Sequence, residues 1–384
     1  MDDRKMYSND YLPTPCFLID ENRVIHNLKI LKGVSERTGC KILLAQKAFS
    51  MYSTYPLLRE YLDGTTASGL YEARLGHTYF GKETHVYSPA FREDEFVEVL
   101  KYVDYIVYNT PSQVLKYGRK AKRAGKSIGL RINPEYSTQD NQDIYNPCVF
   151  GSRLGTTILK FDEEILPLLD GLHFHTLCQQ GSDALAATVK AVEEKFGKYL
   201  PQMKWLNLGG GHHITRPGYD MPLLEQTIQH LQETYDLQVY LEPGEAVVLN
   251  AGYLVSKVLE IMESGVKIAI LDTSAACHMP DVLEMPYRAP LQNSKKPGDD
   301  QKGFPYSYRL AGPTCLAGDI IGDYSFAKPL RVGDELVFED MALYTMVKTN
   351  TFNGMPLPTI LWRNAFGKVI VVREFSYADF ESRL

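Results

Sequence analysis

The sequence predicts an α/β chain in which a (β/α)8, or TIM, barrel is combined with a second, all-β domain. Three observations carry this. The 384 residues exceed one ordinary domain and fit two. Over the first two-thirds, short β-rich runs alternate with amphipathic stretches, the pattern of parallel βα units. After about Ala251, strand-like runs follow one another without long helices between them.

Eight β-rich runs make up the first part. They are KILLAQ (Lys41–Gln46), TTAS (Thr65–Ser68), THVYS (Thr84–Ser88), DYIVYN (Asp104–Asn109), SIGLRIN (Ser127–Asn133), GLHFH (Gly171–His175), WLNLG (Trp205–Gly209) and VYLEP (Val239–Pro243). Helical patterns lie in the gaps, for example Pro56–Leu62 and Asp183–Phe196. Eight βα units close a barrel. The second part holds the runs GYLVSKVLEIME, KIAILDT, DELVFED, ALYTMVKT, PTILWR and KVIVVREF, with turn signals RVGDE and FGK between them. The polar stretch Gln292–Gly303 is expected to be an exposed loop. These patterns place the barrel at residues 15–250 and the β-domain at 1–14 and 251–384.

Composition excludes several function classes. There are 41 basic and 47 acidic residues, a net charge of −6. No Lys/Arg block forms the basic face a nucleic-acid binder needs, so no nucleic-acid partner is expected. MDDRKMYSND has no apolar core of a signal peptide, and no uncharged apolar run approaches the roughly 18 residues of a membrane span. Six cysteines without CxxC spacing read as reduced thiols of a cytoplasmic protein.

In such a barrel, function sits at the C-terminal ends of the strands. Lys47, His175, Gly209–Gly211 and Glu242 lie there. A buried lysine loses its charge and becomes a Schiff-base nucleophile, whereas at an isolated strand end it is an ordinary surface residue. The three glycines bring backbone N–H groups close to a phosphate, or form a plain loop. Glu242, before Pro243-Gly244, keeps a pyridine nitrogen protonated, or is a solvated turn acid. His173 and His175 share one strand face and are a metal pair or, more simply, a packed histidine and an aromatic stacker. No further ligands complete a set, so no metal is expected. His212 and His213 follow the glycines. In the β-domain, Cys315 in Gly312-Pro313-Thr314-Cys315 is a general acid or a buried thiol. Tyr344 and Thr351–Gly354 are candidates for contacts across an interface.

Taken together, these residues resemble the fold-type III decarboxylases that use pyridoxal phosphate, with an alanine-racemase-like barrel and a β-domain. The order Lys47, HFH, GGG, EPG, GPTC and YT…FNG matches from end to end. Within that group the sequence is similar to the members acting on carboxylated polyamines, through DGTTASG, SRLG, LGGG, GYD, EPGEA, CLAGD and YTMVK. The resemblance implies pyridoxal 5'-phosphate held by Lys47, stacked by His175, with Gly209, Gly210, Gly211 and Tyr344 at the phosphate and Glu242 at the ring nitrogen. It implies a homodimer in which Cys315 protonates the carbanion in the other subunit's site, and in which Arg153 meets Asp319 of the partner.

Two departures bear on substrate. Most relatives carry arginine after Glu-Pro-Gly; here it is Glu245, which suits an ammonium rather than an anion. Ornithine decarboxylases carry aspartate after the cysteine; here it is Leu316. A distal cation is therefore expected at Glu245 and at Asp281, with Asp272 and Glu284 in reserve. Carboxyspermidine and carboxynorspermidine, with inner and terminal amines, fit this better than ornithine, lysine or diaminopimelate. A metal-dependent hydrolase on the same barrel is the more distant reading.

Overall fold

The computed structural model describes residues 6–7, 12–139, 144–298 and 302–384. The chain divides into two compact units, residues 26–247 and residues 1–25 with 248–384.

The first unit is a closed barrel of eight parallel strands: Lys41–Ala45, Gly64–Ala67, Glu83–Tyr87, Tyr105–Tyr108, Ser127–Arg131, Gly171–His173, Trp205–Asn207 and Gln238–Leu241. The last pairs with the first, through Tyr240 opposite Lys41. All eight expected runs are strands here. Helices cross between them, among them Glu93–Tyr102, Pro111–Arg123, Ser182–Phe196 and Met221–Tyr235. Two begin in the same way. Thr110 and Asp220 accept from the amides of Gln113 and Leu223, each with a proline in the first turn. The Pro56–Leu62 pattern yields only a short helix, Tyr55–Leu58.

Register around the barrel is pinned by a repeated device. Asp63, Asp104 and Asp170 each stand directly before an even-numbered strand. Each accepts, at 2.9 Å, 2.9 Å and 2.9 Å, the amide of the strand before it, at Ile42, Thr84 and Ile128. The floor is filled by Trp205. A Cβ on Gly171 would come within 2.0 Å of its ring, and one on Gly129 within 2.3 Å, so both neighbours must be glycine.

The second unit is a ten-stranded sheet. Its order is Met6–Tyr7, Val369–Arg373, Thr359–Arg363, Cys16–Asp20, Gly252–Ser264, Val266–Leu271, Tyr306–Ala311, Ile320–Phe326 and Ser294–Lys295, with Glu335–Glu339 also paired to Gly252–Ser264. Alternation along the strands feeds two cores. Phe17 and Leu254 face one, with Leu310, Tyr324 and Phe338. Cys16, Leu18, Tyr253 and Val255 face the other, with Leu361 and Val371.

The structure differs from the sequence reading at four places. Cys16–Asp20 pairs with Gly252–Ser264 and Thr359–Arg363, so it belongs to the sheet and the barrel unit starts later than residue 15. ALYTMVKT is not a strand. Tyr344 has φ 50° and Met346–Lys348 is a 3₁₀ turn, so the chain cannot stay extended there. Tyr306–Ala311 and Ile320–Phe326 are strands that the sequence runs do not mark. The Gln292–Gly303 stretch carries the short strand Ser294–Lys295, while residues 299–301 lie outside the described residues.

Candidate active site

Lys47 stands two residues beyond the first barrel strand, in a turn fixed on both sides. Ala45 donates to the Pro243 carbonyl at 3.0 Å, and buried Gln46 accepts from Tyr55 Oη at 2.9 Å and donates to Glu72 O at 2.9 Å. Lys47 is reached by solvent, yet protein surrounds it densely. Burial, reinforced by the charge of Arg131, lowers its pKa. Its Nζ lies 3.3 Å from Nε2 of His175.

His175 is fixed through the other ring nitrogen. Nδ1 accepts the amide of Gly210 at 3.0 Å, so in the neutral ring the proton is on Nε2. Burial, then the charges of Lys47 and Arg131, hold His175 well below its ordinary pKa. Arg131, 5% exposed, donates to the His175 carbonyl at 2.9 Å and lies over the Tyr87 ring at 4.6 Å.

Gly209, Gly210 and Gly211 form a cradle with no room for side chains. A Cβ on each would meet the carbonyl oxygens of Phe174, Glu242 and Leu177 at 2.5, 2.1 and 1.9 Å. Gly209 and Gly211 also have φ of 69° and 86°, the left-handed region. Asn207 closes the cradle from below, its Oδ1 accepting from Gly209 N at 2.9 Å while its Nδ2 donates to Glu242 Oε1 at 2.8 Å. Glu242 Oε2 lies 3.4 Å from Nε2 of His173. Burial pushes the Glu242 carboxyl up, but His173 and the Asn207 amide outweigh it and keep Glu242 ionised. Burial lowers the pKa of His173, against the pull of Glu242.

The remaining barrel candidates are engaged within the chain. His212 donates to Gly209 O at 3.2 Å, and burial pulls it down to about 4. Glu245 is gripped by His213 Nε2 at Oε2 and by Gln179 Nε2 at Oε1, at 3.3 Å. The His173–His175 pair faces Glu242 on one side and Lys47 on the other. Among the described residues no group of three or more His, Cys, Asp or Glu is arranged to hold a metal.

In the sheet unit, Cys315 is exposed and its amide donates to Asn353 Oδ1 at 2.9 Å. Tyr344 is half-buried. Asp281 and Glu284 both clasp Lys348, and burial raises the pKa of Asp281. Asp272 is taken up by the strands, accepting from Ser256 Oγ and Lys257 N at 2.8 and 2.8 Å. Asp319 is 3% exposed and turned into its own loop, while Arg153 is exposed in the barrel unit.

Sequence reading does not single out Arg131, Asn207 or Gln179, and it names His213 and the Thr351–Gly354 segment without their partners. For Arg131 and Asn207 a signal was present. Each is a polar residue in an apolar run at the same strand end as the residues that were found.

Comparison with known proteins gives one answer. Residues 16–342 match the profile of the pyridoxal-dependent decarboxylase family, described by its C-terminal sheet domain. The chain is 43% identical over 379 residues to the carboxynorspermidine/carboxyspermidine decarboxylase of Campylobacter jejuni, covering 97% of this chain and 98% of that one. It is 42% identical over 375 residues to a carboxyaminopropylagmatine decarboxylase of Synechocystis, covering 97% and 96%. The solved structure of Campylobacter jejuni carboxynorspermidine decarboxylase with norspermidine superposes with a TM-score of 0.91 over 97% of this chain and 100% of that chain. The chain therefore belongs to the pyridoxal-dependent decarboxylases.

Proposed function

We propose that this enzyme decarboxylates carboxyspermidine or carboxynorspermidine, giving spermidine or norspermidine and CO2. The observation that carries the reading is the barrel mouth, where Lys47, its pKa lowered by burial, faces His175 while an ionised Glu242 is held by Asn207. The residues fit pyridoxal 5'-phosphate. The glycine run, packed without side chains and with Gly209 and Gly211 in the left-handed region, presents bare backbone as a phosphate loop does, and the carboxylate suits a protonated ring nitrogen. Bound there, the cofactor supplies the electron sink for the breaking bond between Cα and the carboxylate.

The chain's own residues do the rest. Lys47 would hold the cofactor and yield its place to the substrate amine, a role that its lowered pKa favours. Glu242 holds a proton at the ring nitrogen. His175, fixed by Gly210, would stack on the cofactor ring, and Tyr344 would help hold its phosphate. Cys315 delivers the proton to Cα. Glu245 and Asp281 are read as carboxylates for the substrate's amines, sharing them with His213 and Lys348. In this reading the enzyme is a cytoplasmic homodimer in which the sheet unit serves the partner's barrel. The exposed Cys315, Leu316 and Phe352 support that.

The Synechocystis relative favours a second reading, a substrate with an agmatine tail. Borohydride reduction of the purified protein should leave the cofactor on Lys47. Steady-state turnover on carboxyspermidine, carboxynorspermidine, carboxyaminopropylagmatine, ornithine and diaminopimelate then ranks the substrates. An adduct on another lysine removes the cofactor assignment, and a preference for ornithine or diaminopimelate removes the polyamine.

A further inference from the structure

Cys315 sits on an exposed tip whose base is buried and heavily hydrogen-bonded. Leu316, Ala317 and Gly318 are exposed with it, whereas Asp319 is 3% exposed. Asp319 Oδ2 accepts from Thr314 Oγ1 at 2.7 Å and from Thr314 N at 3.3 Å, and its Oδ1 accepts from Ala276 N at 3.3 Å. A Cβ on Gly312 would come within 2.2 Å of that carboxylate, so the loop closes directly on it. The neighbouring segment is tied to the same base. Asn350 donates through Nδ2 to Ala276 O at 2.8 Å and through its amide to Cys277 O at 3.1 Å. Three stretches of chain, around 276, 314 and 350, thus form one framework.

From this framework one side chain reaches the tip. Asn353 Oδ1 accepts the Cys315 amide at 2.9 Å, across 38 residues. Asn353 adopts φ 57° and ψ 18°, a left-handed conformation uncommon for residues with side chains and favoured by Asn and Asp. An exposed amide has water available as a partner. Here a residue in an uncommon conformation holds it instead, and so fixes the Cα from which the thiol projects.

We propose that Asn353 is the positioning residue for Cys315. The inference rests on Cys315 being the proton donor. A thiol that must meet one face of one carbon gains from a fixed Cα, because a displacement of about 1 Å costs on the order of 100-fold in rate.

The test compares Asn353→Gly, Asn353→Asp and Cys315→Ala in the holoenzyme. Glycine keeps the left-handed backbone and loses the acceptor; aspartate keeps the acceptor. Asn353→Gly is expected to lower kcat about 10- to 100-fold with KM and Tm unchanged, and Asn353→Asp to restore most of kcat. The iodoacetamide labelling rate at Cys315, read by peptide mapping, should change in Asn353→Gly and return in Asn353→Asp. An unchanged kcat in Asn353→Gly beside a damaged Cys315→Ala overturns the inference and spares Cys315. So do equal losses in the Gly and Asp variants, or a loss of kcat that follows Tm and KM together. Full turnover by Cys315→Ala removes the role of Cys315, and the inference with it.

Discussion

Nζ of Lys47 stands 3.3 Å from Nε2 of His175, and the Gly210 amide on Nδ1 decides that this ring meets the amine with its N–H side. Two basic groups at this distance cannot both carry charge without repulsion, and burial lowers both. Lys47 should therefore be nucleophilic near neutral pH. In cofactor-free protein, brief labelling with acetic anhydride at pH 7.5 should modify Lys47 ahead of exposed lysines such as Lys204, which is 79% exposed. Labelling of Lys47 no faster than Lys204 would show that it is charged.

The glycine cradle makes a steric prediction. Gly210→Ala forces a Cβ to 2.1 Å from the Glu242 carbonyl and should cost about 1–3 kcal/mol of stability together with cofactor retention. Gly69→Ala, with nothing within 4 Å, is the matched control and should melt close to the parent. Thermal melts and cofactor absorbance after gel filtration read both effects.

Asp104 accepts the Thr84 amide at 2.9 Å between two barrel strands. Asp104→Ala leaves that amide without its partner and should destabilise by about 1–3 kcal/mol. Asp104→Asn, which keeps an acceptor oxygen, should lose less. Urea unfolding distinguishes the two, and equal losses would show that the bond to Thr84 is not what matters.

Acid should destabilise the fold in two steps. His212 and His278 are buried and drawn from 6.5 to about 4, chiefly by burial. Between those values the unfolded chain binds protons that the folded chain does not, so stability present above pH 6.5 is lost as pH falls toward 4. Each contributes up to about 3 kcal/mol. Glu83 acts lower. Burial pushes it up, but hydrogen bonds from His85 and Lys41 outweigh that and hold it at about 2, so its contribution is lost only below about pH 4.5. Urea midpoints should therefore drop between pH 7.5 and 5, and His278→Gln should flatten part of that drop. A midpoint that rises on acidification contradicts the assignment.

Glu245 offers a kinetic test of substrate reading. Glu245→Gln keeps the contact with Gln179 but removes the charge shared with His213. If the carboxylate also meets a substrate amine, KM for carboxyspermidine should rise about tenfold with kcat little changed. Asp281→Asn should act in the same direction, weakened by Lys348, which already neutralises part of that cluster. An unchanged KM in both variants would leave Glu245 only the task of holding His213.

The barrel was legible because its signals are local. Each strand announces itself by a short apolar run, and the residues that end those runs, Lys47, His175, Gly209 and Glu242, are brought to one face by topology alone. The aspartates before the second, fourth and sixth strands were equally visible as letters, in LDGTT, VDYIV and LDGLH. Their partners were not, because a backbone amide on the neighbouring strand leaves no mark in sequence.

The sheet unit was less legible. Cys16–Asp20 sits next to Gly252–Ser264, pairing Leu18 with Tyr253, more than 230 residues later, and only that long-range ladder assigns it to the sheet. The run ALYTMVKT has the composition of a strand, yet tertiary context turns it at Tyr344.

The sequence alone determined the barrel, its order and the residues at its mouth, since period and spacing are properties of the chain itself. Only the tertiary structure decided what those residues touch. It set the proton of His175 through Gly210, paired Glu245 with His213 and Asp281 with Lys348, and turned Asp319 into its own loop. Charge pairing and hydrogen bonding depend on distances of a few ångströms between residues far apart in the chain, and no local pattern encodes those distances.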